Sequence, residues 1–237
     1  MSLIKSNNKS LIYKSFHKIF NISNVLILFL LLFILSAANN AAAPTSSVSQ
    51  QQGIWADSIT TSLVNEDTID SIVAEGSALL RYNDIEVTSD YIEYNMGSED
   101  VFISGNVDFH LDNYRLQAEE LSGNLADMTL SARDDVIFSG EELRIMASSV
   151  SFDESKEEVV FTGETSLKYR EIQASADTLI YNYQNEVAYL EGNVISQQNG
   201  LRLSGSRLEI DLESEKVKLL GQAELLFEEE AEEGEEE

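Results

Sequence analysis

The chain has 237 residues, with 15 Lys and Arg against 42 Asp and Glu, no Cys and two His. This length allows one sizeable hydrophobic core. A net charge of −27 disfavours binding to the phosphate backbone of nucleic acids. Without cysteine there is no disulfide, no thiolate metal site and no cysteine nucleophile, and two histidines leave little for a metal cluster or a Ser-His-Asp triad. We therefore expect a binding protein without metal or cofactor rather than an enzyme.

The first 43 residues have the features of a secretory signal peptide. They hold no acid, carry Lys5, Lys9, Lys14 and Lys18, and contain an apolar run at 25–35 followed by small residues. The run is shorter than the roughly 20 residues that a membrane-spanning helix needs. An uncleaved inner-membrane anchor is the alternative, and in both cases the remainder is exported.

Two further segments lack the pattern of a folded domain. Residues 44–58, which begin PTSSVSQQQG, are expected to be a flexible spacer. Residues 228–237, EEEAEEGEEE, are expected to be a disordered acidic tail because their like charges repel one another. The folded domain is therefore placed at residues 59–227.

Within that domain the sequence repeats every 29 residues. A glycine column runs through positions Gly76, Gly105, Asp134, Gly163, Gly192 and Gly221. An aliphatic column and an Asn/Asp column keep the same period: Ile92, Leu121, Val150, Leu179 and Leu208; Asn95, Asn124, Asp153, Asn182 and Asp211. A fixed period of this size is typical of stacked repeats that bury apolar faces against their neighbours.

Apolar residues alternate within each unit, as in Val101, Ile103, Val107 and Phe109. A period of two predicts strands, and turn-forming residues recur between them. Each unit is therefore two strands of about ten residues. Five units span 72–216, with a half unit on either side, which predicts about 12 antiparallel strands.

The middle of each unit predicts a bend. Across every hairpin the glycine column lies beside a column of small residues, and the apolar parity shifts by one residue there. A β-bulge supplies such an extra residue, and glycine permits a sharp bend. Creased strands stacked side by side would form an open trough with the apolar parity inside. Tight packing without a bend is the alternative explanation of the glycines.

Two segments, FISGNVDFHLDNYRLQAEEL (102–121) and YLEGNVISQQNGLRLSGSRLEI (189–210), resemble the OstA/LptA-like family of periplasmic lipopolysaccharide-transport proteins. Gly105-Asn106-Val107 and Gly192-Asn193-Val194 match its recurring phrase directly, whereas Asp134 departs from it. The resemblance implies a bent β-jellyroll whose interior carries lipid A acyl chains. It also implies end-to-end docking through exposed edge strands.

The hypothesis is a periplasmic bridge that carries lipopolysaccharide, or a related glycolipid, between the inner and outer membranes. Its partners would be other jellyroll transport proteins, or further copies of itself joined head to tail. The inward apolar positions would line the lipid groove: Ile103, Val107, Phe109, Leu116, Val136, Phe138, Ile145, Phe152, Phe161, Leu167, Leu179 and Tyr181. Whether the inward aromatic residues fill the trough or contact a ligand stays open at this stage.

Three alternatives belong to other classes. A structural surface or filament protein without a lipid ligand could use the same repeat. A small outer-membrane barrel also has ten-residue alternating strands, but no aromatic girdle is evident in the sequence. An enzyme on a β-solenoid would need carboxylates matched with a His or Lys in one column, and no column has them. Within the resemblance, a soluble bridge and an inner-membrane-tethered component both remain open.

Overall fold

The computed structural model describes residues 52–65, 68–82, 84–111, 113–140, 142–170, 172–182, 184–185, 187–198, 200–211 and 216–227. These residues form strands almost throughout, joined by turns and one 3-10 turn at Glu154–Lys156. The strands are β1 (Gly53–Trp55), β2 (Ser58–Asn65), β3 (Thr68–Tyr82), β4 (Ile85–Asn95), β5 (Asp100–Leu111), β6 (Tyr114–Asn124), β7 (Thr129–Ser139), β8 (Leu143–Asp153), β9 (Glu158–Tyr169), β10 (Ile172–Asn182), β11 (Val187–Gln198), β12 (Leu201–Asp211), β13 (Lys216–Leu220) and β14 (Glu224–Phe227).

All these strands belong to one open antiparallel sheet. From β3 to β12 each strand pairs with the next one along the chain. The two ends differ, because β1 and β2 share one edge of β3, and β13 and β14 share one edge of β12. The predicted all-β, antiparallel fold is confirmed, with ten long strands and four short ones in the described residues.

A line of bulges crosses the sheet and creases it. In the β3–β4 pair, Glu75 lies opposite Tyr91 and Ala78 opposite Ser89, so two residues face one residue there. The two residues on the bulged side are Gly76 and Ser77. They and the equivalent pairs of the other repeats all have positive φ: Gly76-Ser77, Gly105-Asn106, Asp134-Asp135, Gly163-Glu164, Gly192-Asn193 and Gly221-Gln222. Two consecutive left-handed residues turn the strand sharply, and glycine best tolerates the first position. The predicted bulge is thus present at every repeat, including the one where Asp134 replaces glycine.

The crease divides the sheet into two arms. The short-turn arm ends at the connections after β3, β5, β7, β9 and β11, and the long-turn arm ends at the four-residue connections after β4, β6, β8, β10 and β12. Phe138 of the short-turn arm and Phe161 of the long-turn arm have ring centroids 6.4 Å apart. A single flat sheet could not bury Ala74, Leu179 and Tyr181 completely, yet all three have no exposed surface. The arms therefore fold face to face around an apolar interior, as the repeat pattern predicted.

The Asn/Asp column starts the longer connections, as the sequence indicated. Asn95 Oδ1 accepts hydrogen bonds from the Gly97 and Ser98 backbone amides, both at 2.9 Å. Asn124 and Asn182 accept equivalent bonds from the backbone amides three residues on. A side chain that captures the following backbone amides favours a turn over a continued strand.

The ends of the chain differ in part from expectation. Residues 53–55, expected within a spacer, form β1 and pair with Leu79–Arg81 of β3. Partial burial of Ile54 against the core favours this pairing. The Gln- and Ser-rich residues before it do not predict a strand. The expected signal peptide, residues 44–51 of the spacer and the acidic tail lie outside the described residues. In the part of the chain that is described, no helix is long and apolar enough to cross a membrane.

Candidate functional site

All twelve predicted lining residues point to the interior. Eleven are buried, with exposed fractions of 6% or less: Ile103, Val107, Phe109, Leu116, Val136, Ile145, Phe152, Phe161, Leu167, Leu179 and Tyr181. Phe138 is partly buried and packs against the interior as well. Period-two alternation therefore gave the direction of these side chains correctly. Their role in ligand binding is a separate matter.

The interior consists of two apolar clusters joined at a waist. One cluster extends from Ala74 to Phe152 and the other from Leu143 to Ile210. Phe138, Val150 and Val159 pack against both clusters and remain partly exposed. These three inward side chains come from both arms, so the apolar interior reaches solvent at this waist. Sequence periodicity could not predict the waist, because it is the same on either side of it.

The trough that was expected to be open is closed over most of its length. Side chains of the two arms fill it, because apolar side chains pack together when no ligand separates them from water. A small pocket of about 20 Å³ remains near the C-terminal end. It is lined by Ile172, Ala174, Leu190, Ser196, Gln198, Leu201, Leu203, Leu208, Ile210 and Val217. An acyl chain could occupy this interior only if the two arms moved apart.

Both ends of the interior expose apolar side chains. At the N-terminal end Ile59 and Leu63 are about half exposed. At the C-terminal end Leu225 is 50% exposed and Phe227 is 79% exposed. Ile59 lies opposite the fully buried Ala74 and Leu225 opposite Leu203, so these side chains continue the inner face beyond the last long strand. A further strand added at either end would cover them.

The outer face is polar and carries ion pairs. Arg115 binds Asp108 through two bonds of 2.7 and 2.5 Å, and this guanidinium holds the pKa of Asp108 below its usual value. The Tyr91 hydroxyl donates to Glu93 at 2.7 Å, which raises the pKa of Tyr91 to about 12. His110 also lies on this face, with Nε2 3.1 Å from Asp108 Oδ1.

The interior offers almost no acid–base groups. Among the described residues the buried polar side chains, apart from tyrosines, are Ser89 and Thr165. Ser89 Oγ donates to the Tyr91 carbonyl at 3.1 Å, whereas Thr165 Oγ1 has no hydrogen-bond partner in the described structure. No group of three or more His, Asp or Glu side chains in the described segments has the geometry of a metal site. An interior of this kind can hold an apolar ligand by burying its surface.

These features define a class of protein: an open antiparallel sheet, folded along a glycine crease, that encloses an apolar interior. The family model for the LptA/(LptD N-terminal domain) LPS transport protein matches residues 86–216. This match covers more than half of the chain, so the chain belongs to that family. The resemblance identified from the sequence is thereby confirmed.

The comparison with solved structures gives a distant likeness. The crystal structure of LptH, the LptA-homologous periplasmic component of the lipopolysaccharide transport device of Pseudomonas aeruginosa, matches with 15% identity and a TM-score of 0.44. The match covers 49% of this chain and 95% of LptH. No curated protein sequence matches the chain.

Proposed function

We propose that this chain binds the acyl chains of lipopolysaccharide, or of a related glycolipid, in its interior and carries the lipid through the periplasm as a bridge between the two membranes. The observation that carries this proposal is the apolar interior, which continues through both clusters and reaches solvent at the waist. Family membership supports the same substrate class. The protein would act without catalysis, because among the described residues no His, Lys, Asp or Glu side chain is buried in the interior.

The energetics are compatible with acyl-chain binding by a closed interior. Each methylene transferred from water to an apolar site contributes about 0.8 kcal/mol. A saturated chain has no hydrogen-bonding groups of its own, so it can replace the contacts between the arms with contacts to itself. Opening the interior loses packing between side chains such as Phe138 and Phe161. Contacts with the bound ligand offset this loss. The hinge for this motion would be the crease, where two consecutive residues of each repeat have positive φ.

Docking end to end would make the interior continuous between molecules. The outer edges of the short strands β2 and β14 have no further strand beside them among the described residues. Such edges can add a partner's strand through backbone hydrogen bonds. The half-exposed apolar side chains beside them would be buried by the same event. The partner would be another jellyroll transport protein or a second copy of this chain.

Export to the periplasm is part of the proposal and rests on residues 1–43. A cleaved signal peptide would give a soluble bridge, whereas an uncleaved one would tether the domain to the inner membrane. N-terminal sequencing of the protein isolated from its host separates the two. A first residue near position 44 indicates cleavage, and an intact Met1 indicates the tether.

Site-specific photo-crosslinking tests where the lipid binds. A benzophenone amino acid is placed at Phe138 or at Val150, both inward and partly exposed, and the purified protein is loaded with lipopolysaccharide. Ser151 is the matched control, because it is next to Val150 and exposed on the outer face. We expect crosslinks from Phe138 and Val150 and none from Ser151. Equal crosslinking from all three positions would contradict binding inside the trough.

A structural surface or filament protein remains the second candidate, because a filled interior is what that role requires. Mass spectrometry of lipids that copurify with the protein decides between the two. Copurified lipopolysaccharide, or its uptake by delipidated protein, supports the carrier. Delipidated protein that takes up no lipopolysaccharide and still assembles supports the structural role.

A further inference from the structure

One row of side chains on the outer face of the short-turn arm carries positive charge without acids. Starting at β8, the directly paired residues of successive strands are Arg144, Lys168, Gln173, Gln197 and Arg202. Their neighbours along each strand are inward residues, so this row faces away from the interior. We call these five residues the cationic row. At about 4.8 Å per strand it is roughly 19 Å long.

From β7 to β12 the neighbouring row toward the crease is also free of acids, and on β14 it ends at Glu224, opposite Ser204. Its acid-free part consists of Ile137, Met146, Ser166, Ser175, Ile195 and Ser204. Across β8–β12, therefore, two adjacent rows of the outer face carry cations, amides, hydroxyls and apolar groups only. In a chain with 42 Asp and Glu residues, an acid-free surface of this extent indicates a site that receives an anion.

The three cations of this row also lack counter-ions among the residues that the structure describes. Elsewhere Arg81 pairs with Glu86, Arg115 with Asp108 and Arg207 with Glu191, and the described residues form three more such pairs. They are Arg133–Glu120, Lys156–Asp153 and Arg170–Glu142. Among the described residues, by contrast, no acid lies within salt-bridge distance of Arg144, Lys168 or Arg202.

Two of these unpaired cations are directly opposed. Arg144 and Lys168 form one cross-strand pair on the same face, and both are exposed. Like charges directly opposite each other destabilise a sheet. An anion bound between them would remove this repulsion. The arrangement therefore costs stability in the free protein and favours an anionic ligand.

The part of the cationic row on β10, β11 and β12 lies on the back of strands that line the C-terminal pocket, whereas Arg144 and Lys168 lie on the adjoining strands β8 and β9. Gln173 lies between the pocket residues Ile172 and Ala174, and Arg202 between Leu201 and Leu203. The row is two residues from the connections that end the arm. A ligand could therefore extend from the interior around the short-turn end of this arm. It would contact apolar side chains on the inner face of the sheet and cations on the outer face of the same strands.

We propose that the cationic row binds the phosphate groups of a lipid whose acyl chains occupy the interior. This inference rests on the proposed function and adds a second, polar subsite to it. The two guanidinium groups can each donate two hydrogen bonds to a phosphate, the ammonium of Lys168 adds a mobile charge, and the two glutamine amides donate further bonds. The length of the row accommodates more than one phosphate. The ligand class is therefore an anionic, phosphate-bearing glycolipid rather than a neutral one.

The test compares two lipids and two variants of the purified full chain. The lipids are a fluorescent bisphosphorylated lipid A and the same lipid with both phosphates removed. The row variant combines Arg144→Gln, Lys168→Gln and Arg202→Gln. The control variant combines Arg133→Gln, Lys156→Gln and Lys218→Gln, which changes the net charge equally but lies on the long-turn arm or its connections. Circular dichroism establishes that both variants are folded.

We expect the row variant to bind bisphosphorylated lipid A about tenfold or more weakly, because it loses three cations that donate charge-assisted hydrogen bonds to phosphate. Its affinity for the dephosphorylated lipid should stay within about twofold, because only charged bonds are removed. The control variant should bind both lipids like the original chain. Truncation after Phe227 should preserve these differences, which would show that the acidic residues 228–237 are not the occupant of the row.

The possible failures are distinct. If the row variant and the control variant weaken binding equally, general electrostatics rather than the row is responsible, and the inference is wrong. Equal loss for both lipids in the row variant also contradicts it. If the row variant binds both lipids like the original chain, acyl-chain binding stands and the phosphate subsite does not exist. If the original chain binds neither lipid, the proposed function itself fails.

Discussion

At the crease, single residues decide whether a strand can bend. A Cβ added at Gly105 would lie 2.5 Å from Asp90 Oδ2 and 2.7 Å from Asp90 Cβ, and the backbone there has a φ of 76°. Gly97, in a connection, would place its added Cβ at an ordinary 3.4 Å from Asn95 Oδ1. We expect Gly105→Ala to lower the free energy of unfolding by about 1–3 kcal/mol, as a strained left-handed residue does. Gly97→Ala, the control, should change it by less than about 0.5 kcal/mol, as surface changes do. Urea unfolding measures both, and equal effects would contradict a special role of the crease glycines.

The one non-glycine residue in the glycine column predicts the opposite change. Asp134 has a φ of 63° where the other repeats have glycine. A non-glycine residue in this region carries a conformational cost that glycine does not. We therefore expect Asp134→Gly to raise the free energy of unfolding by about 0.5–1 kcal/mol, partly offset by the greater freedom of glycine in the unfolded chain. A lower midpoint in urea for Asp134→Gly than for the original chain would show that Asp134 stabilises the crease by another route.

A buried hydroxyl gives a third test at this scale. Thr165 is 3% exposed, its Oγ1 has no hydrogen-bond partner in the described structure, and the equivalent positions of other repeats are Ala78, Val107, Val136 and Val194. Burying an unpaired hydroxyl costs about 1–3 kcal/mol. Thr165→Val should therefore raise the unfolding midpoint in urea. Val136→Thr is the reverse control and should lower it. A destabilised Thr165→Val would mean that the hydroxyl is satisfied.

At the level of elements, the sequence was informative wherever the repeat itself carries the signal. The turn at Asn95, the bulge at Gly105 and the inward direction of Leu179 all follow from local chemistry that recurs every 29 residues. The distance between the arms could not be read in this way. Alternation shows which side chains point inward, but packing between Phe138 and Phe161 decides how closely they meet.

The ends of the sheet and the cationic row could not be predicted for a different reason. The strand β1 lies outside the repeat, and its pairing with Leu79–Arg81 depends on tertiary contacts rather than on composition. Arg144, Lys168 and Arg202 are far apart in the sequence, and only the strand register brings them into one line. Long-range register is thus the information that periodicity alone did not contain.

The short edge strands make a testable prediction about assembly. If docking is head to tail, it needs the N-terminal edge of one copy and the C-terminal edge of another. Ile59→Asp places a charge beside the first edge, and Leu225→Asp places one beside the second. We expect the original chain to form concentration-dependent oligomers in sedimentation velocity, and each variant alone to stay monomeric, because a charge at a core contact is not tolerated.

A mixture of the two variants gives the decisive comparison. Each variant retains one intact edge, so the mixture should form dimers and nothing larger. Thr60→Asp, on the outer side of the same strand, is the control and should still oligomerise. Monomers only in the mixture would contradict head-to-tail pairing, and a monomeric original chain would exclude self-association as the docking mode.

For the molecule as a whole, the acidic surface sets the response to salt. A net charge of −27 creates repulsion that opposes the folded state, and the repulsion extends over a screening length of about 30 Å at 0.01 M salt but only about 3 Å at 1 M. The ion pairs stabilise the folded state, and this stabilisation decreases as salt is added. Exposed pairs contribute only about 0–1 kcal/mol each, however. Repulsion should dominate, so Tm at pH 7 should rise by several degrees when NaCl is increased from 10 to 500 mM.

The pH dependence of this salt effect tests its cause. Unpaired carboxylates lose their charge near pH 4, about their ordinary pKa. The pKa of Asp108 lies lower because Arg115 binds its ionised form, so its contribution to stability is present above its unfolded pKa and is lost as pH falls through the lowered value. At about pH 4.5 the repulsion is therefore reduced while the Asp108–Arg115 pair is intact. The increase of Tm with NaCl should be smaller at pH 4.5 than at pH 7. An equal increase at both pH values would assign the effect to salting-out of apolar surface rather than to charge.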